Sequence, residues 1–209
     1  MRLILASASP ARLTTLRAAG LDPEAIVSDV DERAYHGADP PDLVRQLAEA
    51  KAEAVFAHLT NPTDVIVVGC DSVLDFDGRA EGKPGSPEAA RALLRRTRGH
   101  AGTLATGHHV IVAKGTRPPR RATAVGLSLV QVADISDDEI DAYVATGEPI
   151  AVAGGFTIDG LGGAFIDRIE GDPHNVVGLS LPLLRVMLGQ LGVRWTDLWL
   201  TRRSPDPAF

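Results

Sequence analysis

The chain has 209 residues, enough to bury a substantial core, and its 44% hydrophobic and 23% charged residues are ordinary for a globular protein. With 4% aromatic residues its core must be aliphatic, and a formal charge of −6 argues against binding bulk nucleic acid, which needs a basic face to displace counterions. The lone cysteine, Cys70, excludes an intrachain disulfide and suits a reducing compartment, and no stretch reaches the roughly 18 apolar residues of a membrane span.

Leu3 to Ala6 reads as a short buried strand, in an apolar run too short for a signal peptide, so a cytoplasmic protein without membrane attachment is expected. Ser9 is a good N-cap and Pro10 suits the first helical position, where its missing N–H costs nothing. Leu13, Leu16 and Ala19 mark one face of that helix, and Gly20 can end it in a left-handed conformation. Ile26 to Val30 is a second expected strand, running into Asp31 and Glu32. Pro40-Pro41-Asp42 opens a helix reaching about His58, in which Val44, Ala48, Lys51 and Val55 share a face. A lysine beside a buried stripe needs an anionic partner or a route to water.

Val65 to Val68, β-branched throughout and without alternation, is the clearest central strand. It runs into Gly69-Cys70-Asp71-Ser72, and Val73 to Phe76 with Asp77-Gly78 predict a following strand and hairpin turn. Ser86-Pro87-Glu88 starts a helix closed by Gly99. His109 to Ala113 and Ala124 to Val132 are further strands, joined by a surface loop from Thr116 to Arg121. Ser136 and Glu139 form a capping box ahead of Ile140, Tyr143 and Val144, with Gly147 as the stop. Gly154 to Gly163 suggests a tight loop around a ligand or a neighbouring backbone. A last helix spans about Pro182 to Leu191. The order of elements predicts a mixed α/β sheet with helices packed on it, one domain over residues 1–200, and a loose tail over 201–209.

Three segments carry chemical signals. A helix N-terminus preceded by Ser7 and Ser9 and followed by Arg12 is a ready anion site, although a plain Ser-Pro cap with a surface arginine has the same sequence. Asp71, at the carboxyl end of a buried strand, stands where open α/β sheets place ligands, or else caps a turn. Lys83, between Gly82 and Pro84, faces either a ligand or solvent. Several motifs fail. Gly78 to Lys83 has three residues between its glycines where a P-loop has four, and Pro84 stands at the Ser/Thr position. Gly178 to Pro182 lacks the closing glycine of a nucleophile elbow. His108 and His109 face opposite ways on a strand and do not chelate one metal. Cys70 reads as a small buried strand residue, and His174 and Asn175 as solvated loop residues.

Taken together, these segments resemble the Maf family of nucleotide pyrophosphatases from Leu3 to about Leu191. The resemblance is carried by Leu5-Ala6-Ser7-Ala8-Ser9-Pro10-Ala11-Arg12, Asp29-Val30-Asp31-Glu32, Lys51, Gly69-Cys70-Asp71-Ser72-Val73 and Gly82-Lys83-Pro84. Later segments, Gly147-Glu148-Pro149, Gly160 to Phe165, Glu170-Gly171 and Asn175 to Leu179, extend it. It implies a two-lobed α/β fold of the inosine-triphosphate-pyrophosphatase type with its active site in the cleft, a divalent cation (Mg²⁺ or Mn²⁺), and a homodimer. By position, Ser7, Ser9, Arg12, Glu32, Lys51, Asp71 and Lys83 inherit the pocket. The family's specificity positions fall on Ala11, Ser72 and Asp159, and this chain matches neither well-known branch there. Small Ala11 and Ser72 suggest a roomy pocket that tolerates several bases.

The expected chemistry is conversion of a nucleoside triphosphate to monophosphate and pyrophosphate. Ser7, Ser9 and Arg12 would bind phosphates, Lys51 and Lys83 would stabilise the charge of the transition state, and Glu32 with Asp71 would hold the cation. Asp71 would also orient the attacking water. Competing readings are a regulatory nucleotide-binding protein linked to cell division and a phosphohydrolase cleaving at the γ position.

Overall fold

A computed structural model describes residues 1–35 and 39–199, so the tail expected over 201–209 lies outside the described residues. Among these residues one sheet contains seven strands: β1 (Arg2–Leu5), β2 (Pro23–Ala25), β3 (Val65–Phe76), β4 (Arg79–Glu81), β5 (Ala101–Ala113), β6 (Arg120–Val132) and β7 (Ile166–Glu170). The helices are α1 (Pro10–Ala18), α2 (Pro40–His58), α3 (Pro87–Thr97), α4 (Asp137–Ala145), α5 (Pro173–Val177) and α6 (Leu181–Gln190). Across the sheet the order is β2-β1-β3-β5-β6-β7, with β4 paired to β3. β1 runs parallel to β2 and β3, whereas the pairs from β3 through β7 are antiparallel. This is the mixed sheet with flanking helices that the element order predicts. No described helix is long and apolar enough to cross a membrane.

Several boundaries depart from the sequence reading. The strand expected over Ile26 to Val30 lies earlier, at Pro23–Ala25, because its partner β1 ends at Leu5, opposite Ala25; beyond it Asp29 turns the chain at φ 52°. β3 does not stop before Asp71; it continues unbroken to Phe76, since β5 pairs with it residue by residue from Val65 to Asp75. β5 begins at Ala101, well before His109. Its first half, rich in Ala, Gly and Thr, has weak strand propensity of its own and is fixed by ladders on both sides. β6 likewise reaches back to Arg120, into the expected surface loop. β7 and α5 escape the sequence reading, one an edge strand with three exposed residues of five, the other a single short turn. The turn at Asp77 and Gly78 is as expected, both residues having positive φ, which matches the twist of a hairpin.

The long strands contribute to hydrophobic cores at both ends of the sheet. At one end Leu5, Leu16, Val68, Leu179 and Leu184 pack on one face, and Ile4, Ala52, Val55 and Val67 pack beneath α2 on the other. At the other end Leu74, Phe76, Leu104 and Phe156 form one cluster, and Leu94, Ile140 and Tyr143 join α3 to α4. Between these ends α2 lies almost directly on the backbone. A Cβ at Gly69 would stand 2.3 Å from the Ala48 carbonyl, and one at Gly107 would stand 2.0 Å from that of Val44. Only glycine fits at either position. Gly107→Ala is therefore expected to lower stability by about 3 kcal/mol or more in a urea titration, with loss concentrated in unfolding under native conditions rather than in the denatured slope.

His108, fully buried on β5, ties α6 to the sheet. Its Nδ1 donates to the Thr106 carbonyl at 3.0 Å and its Nε2 accepts from the Ser180 N–H at 2.8 Å, so the ring is neutral. Burial, reinforced by the charge of Arg12, depresses its pKa from about 6.5 to about 4. The unfolded chain therefore takes up a proton that the folded chain refuses as pH falls from 6.5 to 4. Stability from this group is complete above pH 6.5 and should fall by about 3 kcal/mol across that window. Denaturation curves at stepped pH will register this, and the slope should shrink in His108→Gln.

Candidate active site

The sheet itself makes the cleft. On one edge of β3, β1 pairs with Val65 to Val68 and β4 pairs with Leu74 to Phe76, which leaves the backbone from Gly69 to Val73 without a strand partner on that side. A cavity of about 910 Å³ opens at this gap. Asp71 sits at its floor, in mid-strand rather than at a strand end. The turn Ser7 to Ser9 enters from β1, and the 3₁₀ turn Glu32–Ala34, capped by Asp31, enters from beyond β2.

Lys51 meets two carboxylates there. Its Nζ lies 2.5 Å from Asp71 Oδ1 and 2.6 Å from Glu32 Oε1. The local sequence explains the meeting: Lys51 follows Ala48 on one face of α2, Asp71 follows Gly69 on one face of β3, and Ala48 and Gly69 are in contact. Lys51 and Asp71 are both about nine-tenths buried, while the Glu32 side chain is 55% exposed. Partial burial would raise the pKa of Glu32, but its bond to Lys51 and the charges of Lys51, Lys83 and Arg12 prevail and lower it. The anionic partner that the sequence demanded for Lys51 is thus present twice.

Arg12 is buried, so the alternative of a surface arginine is excluded. Its Nε donates to the Gly178 carbonyl at 2.7 Å, Nη1 to the Cys70 carbonyl at 2.8 Å and the Ser7 hydroxyl at 3.2 Å, and Nη2 to the Ser72 hydroxyl at 2.9 Å. Four of five N–H groups are engaged, all by uncharged acceptors, and no carboxylate pairs with this guanidinium among the described residues. Its charge is left for the cleft. Ser9 caps α1 by accepting from the Arg12 N–H at 3.4 Å, and the Ser7 hydroxyl accepts from the Ser9 N–H at 3.1 Å. Both hydroxyl protons remain able to donate to an anion, beside the free N–H groups of the helix start.

Ala11 and Ser72 line the cleft half-buried, and Asp159 lines it exposed. Ser72 has less freedom than its position suggests: Thr106 gives its proton to the Asn175 carbonyl at 2.9 Å, so Ser72 must give its own to Thr106, also at 2.9 Å. Lys83 lines the cleft, is exposed, and makes no ion pair among the described residues. Cys70 is buried, and burial raises its thiol to about 11, consistent with an inert core residue. His108 and His109 do face opposite sides of the sheet, toward Ser180 and Glu53 respectively. His174 is exposed, but Asn175 is not a solvated loop residue. It is 1% exposed and bonds the Leu104 carbonyl and Ser128, because α5 folds it inward over β5 and β6.

Thr106 and Gly178 went unrecognised in the sequence as supports of the arginine. Thr106 gives no signal beyond a buried-strand threonine, whereas Gly178, at φ 114°, closes α5 as a glycine after a short helix commonly does.

A family model described as Maf-like protein matches residues 2–191. The chain belongs to the Maf-like family. A Cutibacterium acnes protein named nucleoside triphosphate pyrophosphatase is 54% identical to it, across 94% of this chain and 93% of its own length. Proteins of the same name from Salinispora tropica and Streptomyces coelicolor are 51% and 52% identical, covering 99% and 95% of this chain and 91% and 94% of theirs. The solved Ham1 protein of Staphylococcus aureus covers 95% of this chain and 94% of its own at 16% identity, with a TM-score of 0.41.

The Arg12 cage in this Maf-like chain supplies a test. A Cβ at Gly178 would stand 3.1 Å from Arg12 Nε and 3.4 Å from the Ser72 hydroxyl. Gly178→Ala should therefore displace the guanidinium and weaken pyrophosphate binding about tenfold by calorimetry, the worth of roughly one hydrogen bond to a charged group. Unchanged affinity would separate Arg12 from the anion site.

Proposed function

We propose that this chain hydrolyses nucleoside triphosphates to the nucleoside monophosphate and pyrophosphate, by attack of water at the α-phosphorus. The observation that carries this reading is the buried Lys51–Asp71 pair facing a cleft that also receives the unpaired charge of Arg12. Close relatives bearing the pyrophosphatase name support it. Ser7, Ser9, the start of α1 and Arg12 bind the phosphate chain through preorganised donors. Lys83, free of ion pairs among the described residues, closes on the charge that develops on the leaving pyrophosphate. Lys51 fixes Asp71, whose second oxygen is left to orient a water in line with the bond to be broken.

The donor set fits a divalent cation, Mg²⁺ or Mn²⁺. Glu32 and Asp71 bring two carboxylates to one Lys51 Nζ, and their remaining oxygens would be hard ligands for such an ion together with phosphate oxygens. No group of three or more His, Cys, Asp or Glu among the described residues could form an all-protein cage, which fits an ion that arrives with its nucleotide. When bound, it would neutralise phosphate charge and render water more acidic. Charge favours its presence: Arg12, Lys51 and Lys83 against Asp71 and Glu32 leave one net positive charge, facing about four negative charges on a triphosphate.

Small Ala11 and Ser72 beside Asp159 give the cleft room for more than one base. A cytoplasmic homodimer belongs to the same reading: the single free cysteine suits a reducing compartment, and the dimer is what the family resemblance implies.

Product analysis with and without Mg²⁺ or Mn²⁺, against a panel of canonical and modified nucleoside triphosphates, tests the reaction. Pyrophosphate and monophosphate are expected, dependent on the cation, and Asp71→Asn should reduce turnover by about 10²–10⁴ without loss of fold. Orthophosphate with diphosphate would mean that a different bond is cut, and tight binding without turnover would favour a regulatory role.

A further inference from the structure

Glu148 does not line the cleft, yet four donors converge on its carboxylate. Oε1 accepts from the Tyr143 hydroxyl at 2.8 Å, the Thr157 hydroxyl at 2.6 Å and the Gly162 N–H at 2.9 Å, while Oε2 accepts from the Leu161 N–H at 3.0 Å. The backbone is wrapped tightly around it. A Cβ at Gly160 would stand 2.6 Å from Oε2, and one at Gly162 would stand 2.3 Å from the Tyr143 hydroxyl. The glycine-rich loop thus encloses a side chain of its own protein rather than a ligand. Burial works to raise the pKa of Glu148, but the bonds from Thr157, Gly162, Leu161 and Tyr143 outweigh it and bring the group to about 2. It is ionised at any working pH, so both of its oxygens act only as acceptors.

The segment gathered in this way supplies Thr157, Ile158 and Asp159 to the cleft wall. The neighbouring loop that carries Lys83 is secured by other bonds from the stretch between Glu148 and Thr157, the Gly154 N–H on the Gly82 carbonyl at 3.1 Å and the Gly85 N–H on the Ile150 carbonyl at 3.0 Å. The Lys83 loop thus hangs on the stretch that follows Glu148, whereas the supports of Arg12 and Lys51 do not include that stretch. Phosphates belong with Arg12, Lys51 and Lys83, which leaves the largely uncharged wall of Val152, Phe156, Thr157 and Ile158 to the base and sugar.

We propose that Glu148 is a positioning residue for the nucleoside half of the cleft, acting through Thr157 to Gly162, so that it governs affinity for base and sugar while leaving phosphate binding by Arg12 and Lys51 alone. The proposal rests on the nucleotide reading of this cleft. Glu148→Gln replaces one acceptor oxygen by an amide NH₂, which must face a donor, so the loop loses its anchor without losing volume.

The experiment compares two probes by calorimetry, with metal withheld to prevent turnover: uridine triphosphate, and tripolyphosphate, which has no base or sugar. In Glu148→Gln the nucleotide affinity should fall about tenfold while tripolyphosphate affinity changes less than twofold. Equal losses for both probes, or no loss for the nucleotide, would overturn the proposal. If Glu148→Gln does not fold, Tyr143→Phe removes one of the four donors and keeps the carboxylate; there the affinity ratio should move about twofold, and a constant ratio overturns the assignment. The reaction itself is judged separately, because failure of the wild-type protein to release pyrophosphate would sink the hydrolase reading whatever the affinity ratio does.

Discussion

The site depends on a helix lying closer to a sheet than side chains normally permit. Gly69 and Gly107 remove the two Cβ atoms that would keep α2 away, and Lys51 then reaches the floor of the cleft without leaving its helical face. Burying an ammonium is costly unless it is paired and hydrogen-bonded. Asp71 and Glu32 meet that condition from two different elements, one rigid and one exposed. The pair with Asp71 is fixed by the strand ladder, whereas Glu32 stands on a short turn, so the two contacts differ in how readily a ligand can replace them.

Arg12 presents the opposite electrostatic case. It is as buried as Lys51, but its partners are carbonyls and hydroxyls, which satisfy its N–H groups and leave its charge uncompensated. The directed chain from Arg12 through Ser72 and Thr106 to the Asn175 carbonyl links the first helix of the protein to β5 and α5. Residues far apart in sequence thus share one polar network, and the anion site inherits its geometry from all of them.

Much of this was legible from local pattern. The Ser9–Pro10 cap, the stripe containing Lys51, the β-branched run before Gly69 and the capping box at Ser136 each have a local physical cause, and each formed as expected. What escaped depends on tertiary context. The first half of β5 becomes strand only because β3 and β6 flank it, and Asn175 is buried only because α5 folds over those strands. Among the residues expected in the cleft, Lys51 announced itself by needing an anion, and Asp71 by following a buried strand. Arg12 did not disclose its burial, because its partners Gly178 and Cys70 lie 166 and 58 residues away. The glycines from 154 to 163 suggested a ligand loop, and most of that loop's geometry is instead explained by Glu148.

β3, β5 and β6 pass uninterrupted from the cores at one end to those at the other, and the register of Asp71 with Gly107 and of Gly107 with Val125 lies between them. Among the described residues the two ends are joined by continuous strands, not by a linker about which two halves could swing. Large closing movements would have to break ladder hydrogen bonds at the very residues that form the floor. Admission and release are consequently the work of the rims: the turn that bears Glu32 on one side and the loops of Lys83 and Thr157 on the other. The floor acts as a fixed bench, and speed of exchange is a property of its edges.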